Sequence, residues 1–245
     1  TSNLVLGVNA GNSIASGGNY NVTVGDEAGT ALTTGDQNVF VGYAAGDATT
    51  TAGQNTALGH NALGANITGA YNTALGRAAL ELNTGGSNTA VGGDALTANT
   101  SGASNTAVGI SALDANTTAD NNTGVGANAL GANTTGTGST ALGAYAGDAV
   151  TTGNYNTAIG YQASGAVTTG ASNTSLGAFA LDANTTASNN TGLGYAALTD
   201  TTTGTQNVGV GTNALGANTT ASNNTAVGHY ALLANTTGAS NVAVG

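Results

Sequence analysis

Residues 88–104 read NTAVGGDALTANTSGAS and residues 105–121 read NTAVGISALDANTTADN, so two successive stretches of 17 residues share one pattern. The pattern N-T-A-[VLI]-G-x-x-A-L-x-A-N-T-T-G-x-x recurs along the whole chain, and we call its glycine the anchor glycine. Positions are numbered from this glycine, so that Val91 is at position −1 and Gly93 is at position +1. A fixed period of this length predicts a solenoid.

The anchor glycines define the number and length of the coils. They are Gly7, Gly25, Gly42, Gly59, Gly76, Gly92, Gly109, Gly126, Gly143, Gly160, Gly177, Gly194, Gly211, Gly228 and Gly245. Of the fourteen intervals between them, twelve are 17 residues long, one is 18 and one is 16. We therefore expect residues 1–245 to form a single repeat domain of fourteen coils. Because both ends fall on motif residues without a polar cap, we expect this domain to be a section of a longer fibre.

The composition excludes several classes of function. The chain has one Lys or Arg residue against eleven Asp and Glu residues, which gives a net charge of −10. Nucleic-acid binding needs a basic patch, and none can be assembled from a single cation. An anionic membrane surface is disfavoured for the same reason, and no apolar run approaches the ~20 residues of a membrane span. The chain has no cysteine, so we expect its stability to come from stacking of the coils.

The residues before each anchor glycine alternate as in a β-strand. Position −1 carries Val, Leu or Ile in every copy, as at Leu58 and Val91. Position −3 carries Thr or Val in most copies, as at Thr56. β-Branched residues with a period of two favour an extended backbone, and we expect position −1 to face the core.

A second short apolar segment follows at positions +3 and +4, as at residues 62–63 and 95–96. It is too short for a helix, and we expect it to form a second strand. Asn-Gly and Asp-Gly, the strongest signals of tight hairpins, are absent from the sequence, so equivalent strands should stack in parallel. The predicted fold is all-β, a parallel β-solenoid or β-roll of about 17-residue coils with two short strands in each.

Position −2 carries small residues in most copies, as at Ala57, Ala90 and Gly192. Since it lies on the strand face opposite position −1, we expect it to face out of the core and to form a contact between protomers. Each coil has only about two large aliphatic side chains, so a single chain would enclose a thin core. The first coils depart from this pattern, with Thr23 and Phe40 at position −2, which predicts a wider or differently packed end.

The Asn-Thr-Ala-Val-Gly units at residues 88–92 and 105–109, followed by spaced alanines, resemble the head repeats of YadA-like trimeric autotransporter adhesins. They are also similar to the Asn-Thr-Ala-Val-Gly arrays of bacteriophage tail fibres and bacterial surface proteins. The resemblance implies a homotrimeric, left-handed β-roll that is extracellular, on a cell surface or a virion, and that works in attachment. The period is longer than that of the usual head repeat, and no functional residues carry over.

An asparagine stands four residues before nearly every anchor glycine. Its amide group can both donate and accept hydrogen bonds, so stacked copies can bond to each other and to the turn backbone. We expect a structural asparagine ladder that includes Asn55, Asn72, Asn88, Asn105, Asn122, Asn156, Asn173 and Asn190. A second asparagine column, as at Asn66 and Asn99, has the same interpretation.

Apart from Phe40, the aromatic residues occupy variable positions of the repeat, which are the exposed faces of a solenoid. Exposed tyrosine can stack on sugar rings or anchor a protein contact. We predict a surface that binds a host-surface glycan or protein at Tyr43, Tyr145, Tyr161, Phe179, Tyr195 and Tyr230. The alternative is that these residues are scattered surface packing.

Threonine pairs such as Thr117-Thr118 and Thr134-Thr135 follow the second asparagine column. Ranks of stacked threonines on a flat face can match an ice lattice, although adjacent threonines in a strand point to opposite faces.

The main hypothesis is therefore a structural and adhesive extracellular fibre segment. The alternatives are an ice-binding β-solenoid and a self-assembling extracellular filament.

No catalytic, cofactor or metal site is predicted. The two histidines, His60 and His229, are far apart along the chain, and the acids look scattered. The Gly-Gly-x-Gly-x-Asp pattern of calcium β-rolls is missing. Without cysteine and with one cationic side chain, no catalytic set can be recognised, so we expect the protein not to be an enzyme.

Overall fold

The computed structural model describes residues 2–245, which contain strands and turns and no helix. Fifteen strands of three residues each occupy positions −3 to −1 of the described coils. In chain order they are β1 (Leu4–Leu6), β2 (Val22–Val24), β3 (Val39–Val41), β4 (Thr56–Leu58), β5 (Thr73–Leu75), β6 (Thr89–Val91), β7 (Thr106–Val108), β8 (Thr123–Val125), β9 (Thr140–Leu142), β10 (Thr157–Ile159), β11 (Thr174–Leu176), β12 (Thr191–Leu193), β13 (Val208–Val210), β14 (Thr225–Val227) and β15 (Val242–Val244).

The chain divides into two compact units, Thr1–Asn121 and Asn122–Gly245. In the first unit, strands β1 to β7 each pair in parallel with the next, in a register that aligns equivalent positions, as Ala90 with Ala107. In the second unit, strands β8 to β15 do the same, as Thr157 with Thr174. The predicted parallel β-solenoid is therefore confirmed in each unit. The single domain over residues 1–245 stays a prediction.

The prediction of a second strand in each coil is wrong. The Ala-Leu segments form turns, in which Leu63 has φ 57° and Leu96 has φ 52°. Ala62 and Leu63 are adjacent, yet both are fully buried. In a strand, adjacent side chains point to opposite faces. These two neighbours enter the same core because the left-handed conformation of Leu63 breaks the extended backbone.

The prediction of which strand face is buried is also wrong. The middle residue of each strand from β2 to β14 lies in the core, with Ala57 fully buried, whereas Leu58 at position −1 is 49% exposed. The reason is that leucine at position +4 already fills the narrow interior. A Cβ atom on Gly209 would lie 3.2 Å from Cγ of Leu198, so only small residues fit opposite that leucine. The aliphatic side chains of position −1 therefore face outward.

Core volume is conserved within a coil by paired changes. Where position +4 is leucine, position +7 is asparagine, as in Leu63 and Asn66, except that Leu198 is followed by Thr201. Where position +4 is a smaller residue, position +7 is larger and less polar, as in Gly147 with Val150. The first coils depart further, because the fully buried ring of Phe40 occupies the space beside Gly29 and Gly46. The packing at this end therefore differs because phenylalanine at position −2, and not leucine at position +4, fills the core.

The anchor glycine is required by both its backbone conformation and its neighbours. Gly92 has φ 137°, a region that residues with a side chain rarely adopt. A Cβ atom there would also run into the carbonyl oxygen of Gly109 in the next coil. Neighbouring coils therefore approach each other too closely along the column of anchor glycines to admit a side chain there.

Candidate functional site

The predicted asparagine ladder lies inside the solenoid and bonds each coil to its neighbours. The side-chain Nδ2 atom of Asn88 donates to the carbonyl oxygen of Gly102 at 2.8 Å. The backbone N–H of Asn88 in turn donates to Oδ1 of Asn72 at 2.9 Å. Side-chain bonds of the first kind are made by Asn55, Asn72, Asn88, Asn105, Asn122, Asn156, Asn173 and Asn190. These amides are buried and their bonds are internal, so they hold the fold and cannot contact a ligand.

The second asparagine column closes the turn of its own coil. Nδ2 of Asn66 donates to the carbonyl oxygen of Gly69 at 2.9 Å, and the N–H of Gly69 donates to Oδ1 of Asn66 at 3.0 Å. Members also bond along the stack, because Nδ2 of Asn116 donates to Oδ1 of Asn99 at 2.7 Å. Both columns satisfy turn backbone groups that would otherwise be buried without a partner.

The threonine pairs divide into an inner and an outer rank. The inner hydroxyl groups, such as those of Thr134, Thr151 and Thr168, donate to carbonyl oxygens of the next coil at 3.0 to 3.1 Å. The outer threonines at position +9 are exposed in seven successive coils of the second unit: Thr135, Thr152, Thr169, Thr186, Thr203, Thr220 and Thr237. Only the outer rank therefore presents hydroxyl groups to a surface.

Four of the six predicted surface aromatics come together in the second unit. Tyr145, Tyr161, Phe179 and Tyr195 belong to successive coils and form a continuous series of edge-to-face contacts, which we call the aromatic row. The ring centroids are 6.2, 5.5 and 5.9 Å apart, and the planes cross at 79° to 83°. The three tyrosines keep 40%, 48% and 55% of their surface exposed, so the rings pack on one another without being covered.

The aromatic row alternates between two positions of the repeat. Tyr145 and Phe179 are at position +2, whereas Tyr161 and Tyr195 are at position +1. The other position of the same coils holds Ala144, Gln162, Ala178 and Ala196. Three of these four residues are alanine, which leaves room for the ring of the adjacent coil. The alternation is visible in the sequence, but the contacts follow only from the spacing of the coils.

The other two predicted aromatics have different neighbours. The ring of Tyr230 lies 4.0 Å from that of His229. In the first unit, the ring of Tyr43 stacks on that of His60, with centroids 5.2 Å apart and an interplanar angle of 26°. A hydrogen bond to the Glu27 carboxylate, together with its charge, raises the pKa of Tyr43. The two histidines are thus each paired with an aromatic ring.

A shallow cavity of 240 Å³ lies in the first unit and is lined by Asp47, Asn61, Gly64, Ala65, Glu81 and Leu82. Nδ2 of Asn61 donates to a carboxylate oxygen of Glu81 at 3.2 Å. Burial raises the pKa of Asp47, against the opposing effect of backbone N–H donors. Elsewhere in this unit, Arg77 and Asp94 form an ion pair at the surface. The cavity walls therefore carry two carboxylates and one amide.

The structure corrects the interpretation of the acids as scattered. Position +5 is acidic in alternate coils, at Asp47, Glu81 and Asp114 in the first unit and at Asp148 and Asp182 in the second. Burial is the main cause that raises the pKa of Asp114, Asp148 and Asp182, and the charge of Asp182 adds to the effect on Asp148. Their offset from the anchor glycine was the signal in the sequence. Even so, no group of three or more His, Cys, Asp or Glu side chains within residues 2–245 is arranged to hold a metal ion.

The comparisons with known proteins identify no relative. The chain matches no protein-family model, no curated protein and no solved structure. In the described part of the chain there is also no helix with the length and apolarity needed to cross a membrane. The function must therefore be argued from the surfaces of the solenoid.

Proposed function

We propose that this chain is a structural and adhesive segment of an extracellular fibre, on a cell surface or a virion, and that it supports attachment as a homotrimer. The observation that carries the proposal is the outward rank of aliphatic side chains at position −1. Leu142, Leu176 and Leu193 all belong to this rank in the second unit, and all three are exposed. A contiguous apolar strip of this kind is uncommon on a soluble monomer.

The strip has the shape of an interface between elongated molecules. In the second unit it follows eight parallel strands, and seven strand spacings of ~4.8 Å give a length of about 34 Å. Half-exposed threonines at position −3, such as Thr157, share the same strand face. The two ranks make one continuous face, on which apolar groups repeat in every coil and hydroxyl groups in every coil except those of Val208 and Val242. Burial of that face between protomers would stabilise an assembly at ~25 cal/mol per Å² of apolar surface.

Three-fold symmetry is favoured by the resemblance to YadA-like heads and phage tail fibres. Homo-oligomers close around a symmetry axis, and a rank that runs the length of a unit presents the same contact to each neighbour. In this arrangement the contact between protomers is made by positions −3 and −1. It replaces the contact that we expected at position −2, which is buried.

Sedimentation equilibrium at micromolar concentration tests the proposal. We expect three times the chain mass of 23.0 kDa. A triple variant, Leu142→Asp, Leu176→Asp and Leu193→Asp, should sediment as a monomer, because charges on the contact face cannot be buried without partners. The matched control, Thr135→Asp, Thr169→Asp and Thr186→Asp, adds the same charge at the outer threonine rank and should stay trimeric. A monomeric wild type would overturn the proposal, and a broad series of larger masses would favour a self-assembling filament.

The attachment part of the proposal is supported by exposed aromatic side chains on a surface that carries few charges. Tyrosine has a flat apolar face and a hydroxyl group, which suits contact with a glycan or a protein on a host surface. The net charge of −10 directs this attachment away from nucleic acid and anionic membranes. The fibre would then act by holding its binding surfaces at a distance from the particle or cell that bears it.

Ice binding is a second candidate, because the outer threonine rank of the second unit is exposed in seven successive coils. Thermal hysteresis of the wild type and of a Thr152→Tyr, Thr186→Tyr double variant tests it. Ice binding predicts hysteresis in the wild type and its loss in the variant, since a bulky ring would lift the surface off an ice plane. Absence of hysteresis, or equal hysteresis in both proteins, would remove this candidate.

A further inference from the structure

The aromatic row offers a ligand surface whose geometry and charge together restrict what can bind. Its four rings lie in consecutive coils, so the row spans three strand spacings, or about 14 Å. This length exceeds one sugar ring or one side chain. A ligand that uses all four rings must therefore be extended and lie along the stacking direction of the coils.

The charge of the second unit restricts the ligand further. Residues 122–245 contain no Lys or Arg, whereas they contain Asp148, Asp182 and Asp200. An anionic polymer would meet only like charge there and no counter-ion. Tyrosine hydroxyl groups remain to bond neutral polar groups, and the ring faces remain to cover apolar C–H surface. An uncharged polymer with hydroxyl groups and flat apolar faces fits this surface.

The alternation of the rings adds a period. Tyr161 and Tyr195 are equivalent and stand two coils apart, as do Tyr145 and Phe179, so equivalent rings recur every ~10 Å. Neighbouring rings are turned by about 80°. In an extended β-1,4-linked polysaccharide, alternate sugars are likewise turned over, and equivalent faces recur once per disaccharide, a similar length. An α-1,4-linked chain coils and has no such straight period.

We propose that the aromatic row binds an uncharged, extended β-1,4-linked polysaccharide of the cellulose or chitin type, which lies along the four rings. The inference rests on the proposed attachment function and names the class of surface to which the fibre attaches. The row lies in the turn after the anchor glycine, and the proposed contact between protomers lies on the strands. The two features can therefore be tested separately.

Depletion of the purified chain onto insoluble polysaccharides tests the inference. Microcrystalline cellulose and chitin are the probes, with granular starch as the α-linked comparison and calcium-alginate beads as the anionic one. We expect the wild type to be depleted by cellulose or chitin and to stay in solution with starch and alginate. A Tyr161→Ala, Tyr195→Ala variant should bind about fivefold less tightly or weaker still, because exposed aromatic anchors carry most of the affinity of such surfaces.

The matched control is a Tyr71→Ala, Tyr155→Ala variant, which removes two exposed tyrosines that lie outside the aromatic row. It should bind like the wild type. Sedimentation and circular dichroism of both variants check that coil stacking is intact, and a Tyr161→Phe, Tyr195→Phe variant keeps the rings should the alanine variant fold poorly. This phenylalanine variant should retain most of the binding.

Several results would overturn the inference. They are no depletion by either cellulose or chitin, equal depletion by starch, or equal loss in the row variant and its control. If the aromatic row binds a protein partner instead, neither cellulose nor chitin should deplete the chain. If the chain is a trimer and binds none of the probes, the polysaccharide inference fails and the proposed fibre stands. If the chain binds cellulose or chitin as a monomer, the trimer fails and the inference stands.

Discussion

Gly46 faces the ring of Phe40 so closely that a Cβ atom added to the glycine would lie 2.7 Å from Cε1 and Cζ of the ring. Most other coils reverse the two sizes, with alanine, glycine or serine at position −2 and leucine at position +4, as in Ala57 and Leu63. The large side chain of a coil thus comes from position −2 or position +4, or from position +7 where both are small, as at Val150. The solenoid keeps its cross-section because these positions change together.

Reversal of the sizes in this one coil gives the first prediction. Phe40→Ala should destabilise the chain by about 3 kcal/mol, because it leaves a cavity in the core. Gly46→Leu should also destabilise it, since the new side chain would meet the ring. The double variant recreates the arrangement of most other coils and should recover part of the loss. Thermal melting followed by circular dichroism measures all three, and additive losses in the double variant would contradict the proposed exchange.

Two adjacent glycines give the second prediction, since only one of them is required by the fold. Gly92→Ala should cost about 3 kcal/mol of stability, because its φ of 137° is unfavourable for alanine and its Cβ atom would meet the carbonyl of Gly109. Gly93→Ala should change stability by less than about 0.5 kcal/mol, because no atom lies within 4 Å of the added Cβ atom. Urea unfolding of both variants tests the pair, and equal losses would refute the close approach at the anchor column.

The fold follows from the sequence, because a 17-residue period, β-branched alternation and missing hairpin signals together leave a stack of parallel strands. The buried face did not follow, because an alternation with a period of two separates two faces without saying which is inside. One feature of the sequence does indicate the buried face. Position +4 is glycine at Gly29 and Gly46, and Phe40 at position −2 needs this space only if its ring enters the core.

The sequence does not predict the turn at positions +3 and +4, because leucine is rare at positive φ. The structure has it there because Ala62 and Leu63 are both buried in the core. The candidate site was predicted residue by residue, and four of its six aromatics form one row. Their contacts depend on the distance between coils, which a single repeat does not contain.

A missing rung of the asparagine ladder gives the third prediction. Oγ of Ser139 lies 3.5 Å from the carbonyl oxygen of Gly153, a weak bond compared with the 2.8 Å bond that Asn156 donates to Gly170. Ser139→Asn should restore the standard rung and stabilise the chain by about 1 kcal/mol. A rise in melting temperature measures this gain, and a fall would mean that the coil cannot admit the larger amide.

Removal of a rung should have the opposite effect. Asn156→Ala leaves the buried carbonyl of Gly170 and the N–H of Asn173 without their side-chain partner, which we expect to cost about 2 kcal/mol. Ser139→Asn and Asn156→Ala lie in neighbouring coils, so the gain and the loss of a rung are measured in similar surroundings. A loss below that of an exposed substitution such as Thr186→Ala would contradict a structural role for the ladder.

The acids at position +5 give the last prediction, on pH. Burial raises the pKa of Asp148 and Asp182 above the ordinary value of about 3.9, so the folded chain holds their protons more tightly than the unfolded chain. Their contribution to stability is therefore complete below the unfolded pKa and is lost as the pH rises through the folded pKa. An Asp148→Asn, Asp182→Asn variant should melt at a higher temperature than the wild type at pH 7, and this advantage should vanish near pH 3. The control variant Asp200→Asn removes an exposed charge, so its change in melting temperature measures the general repulsion among the acids. If its advantage per charge removed at pH 7 matches that of the double variant, net charge and not burial would explain the pH dependence.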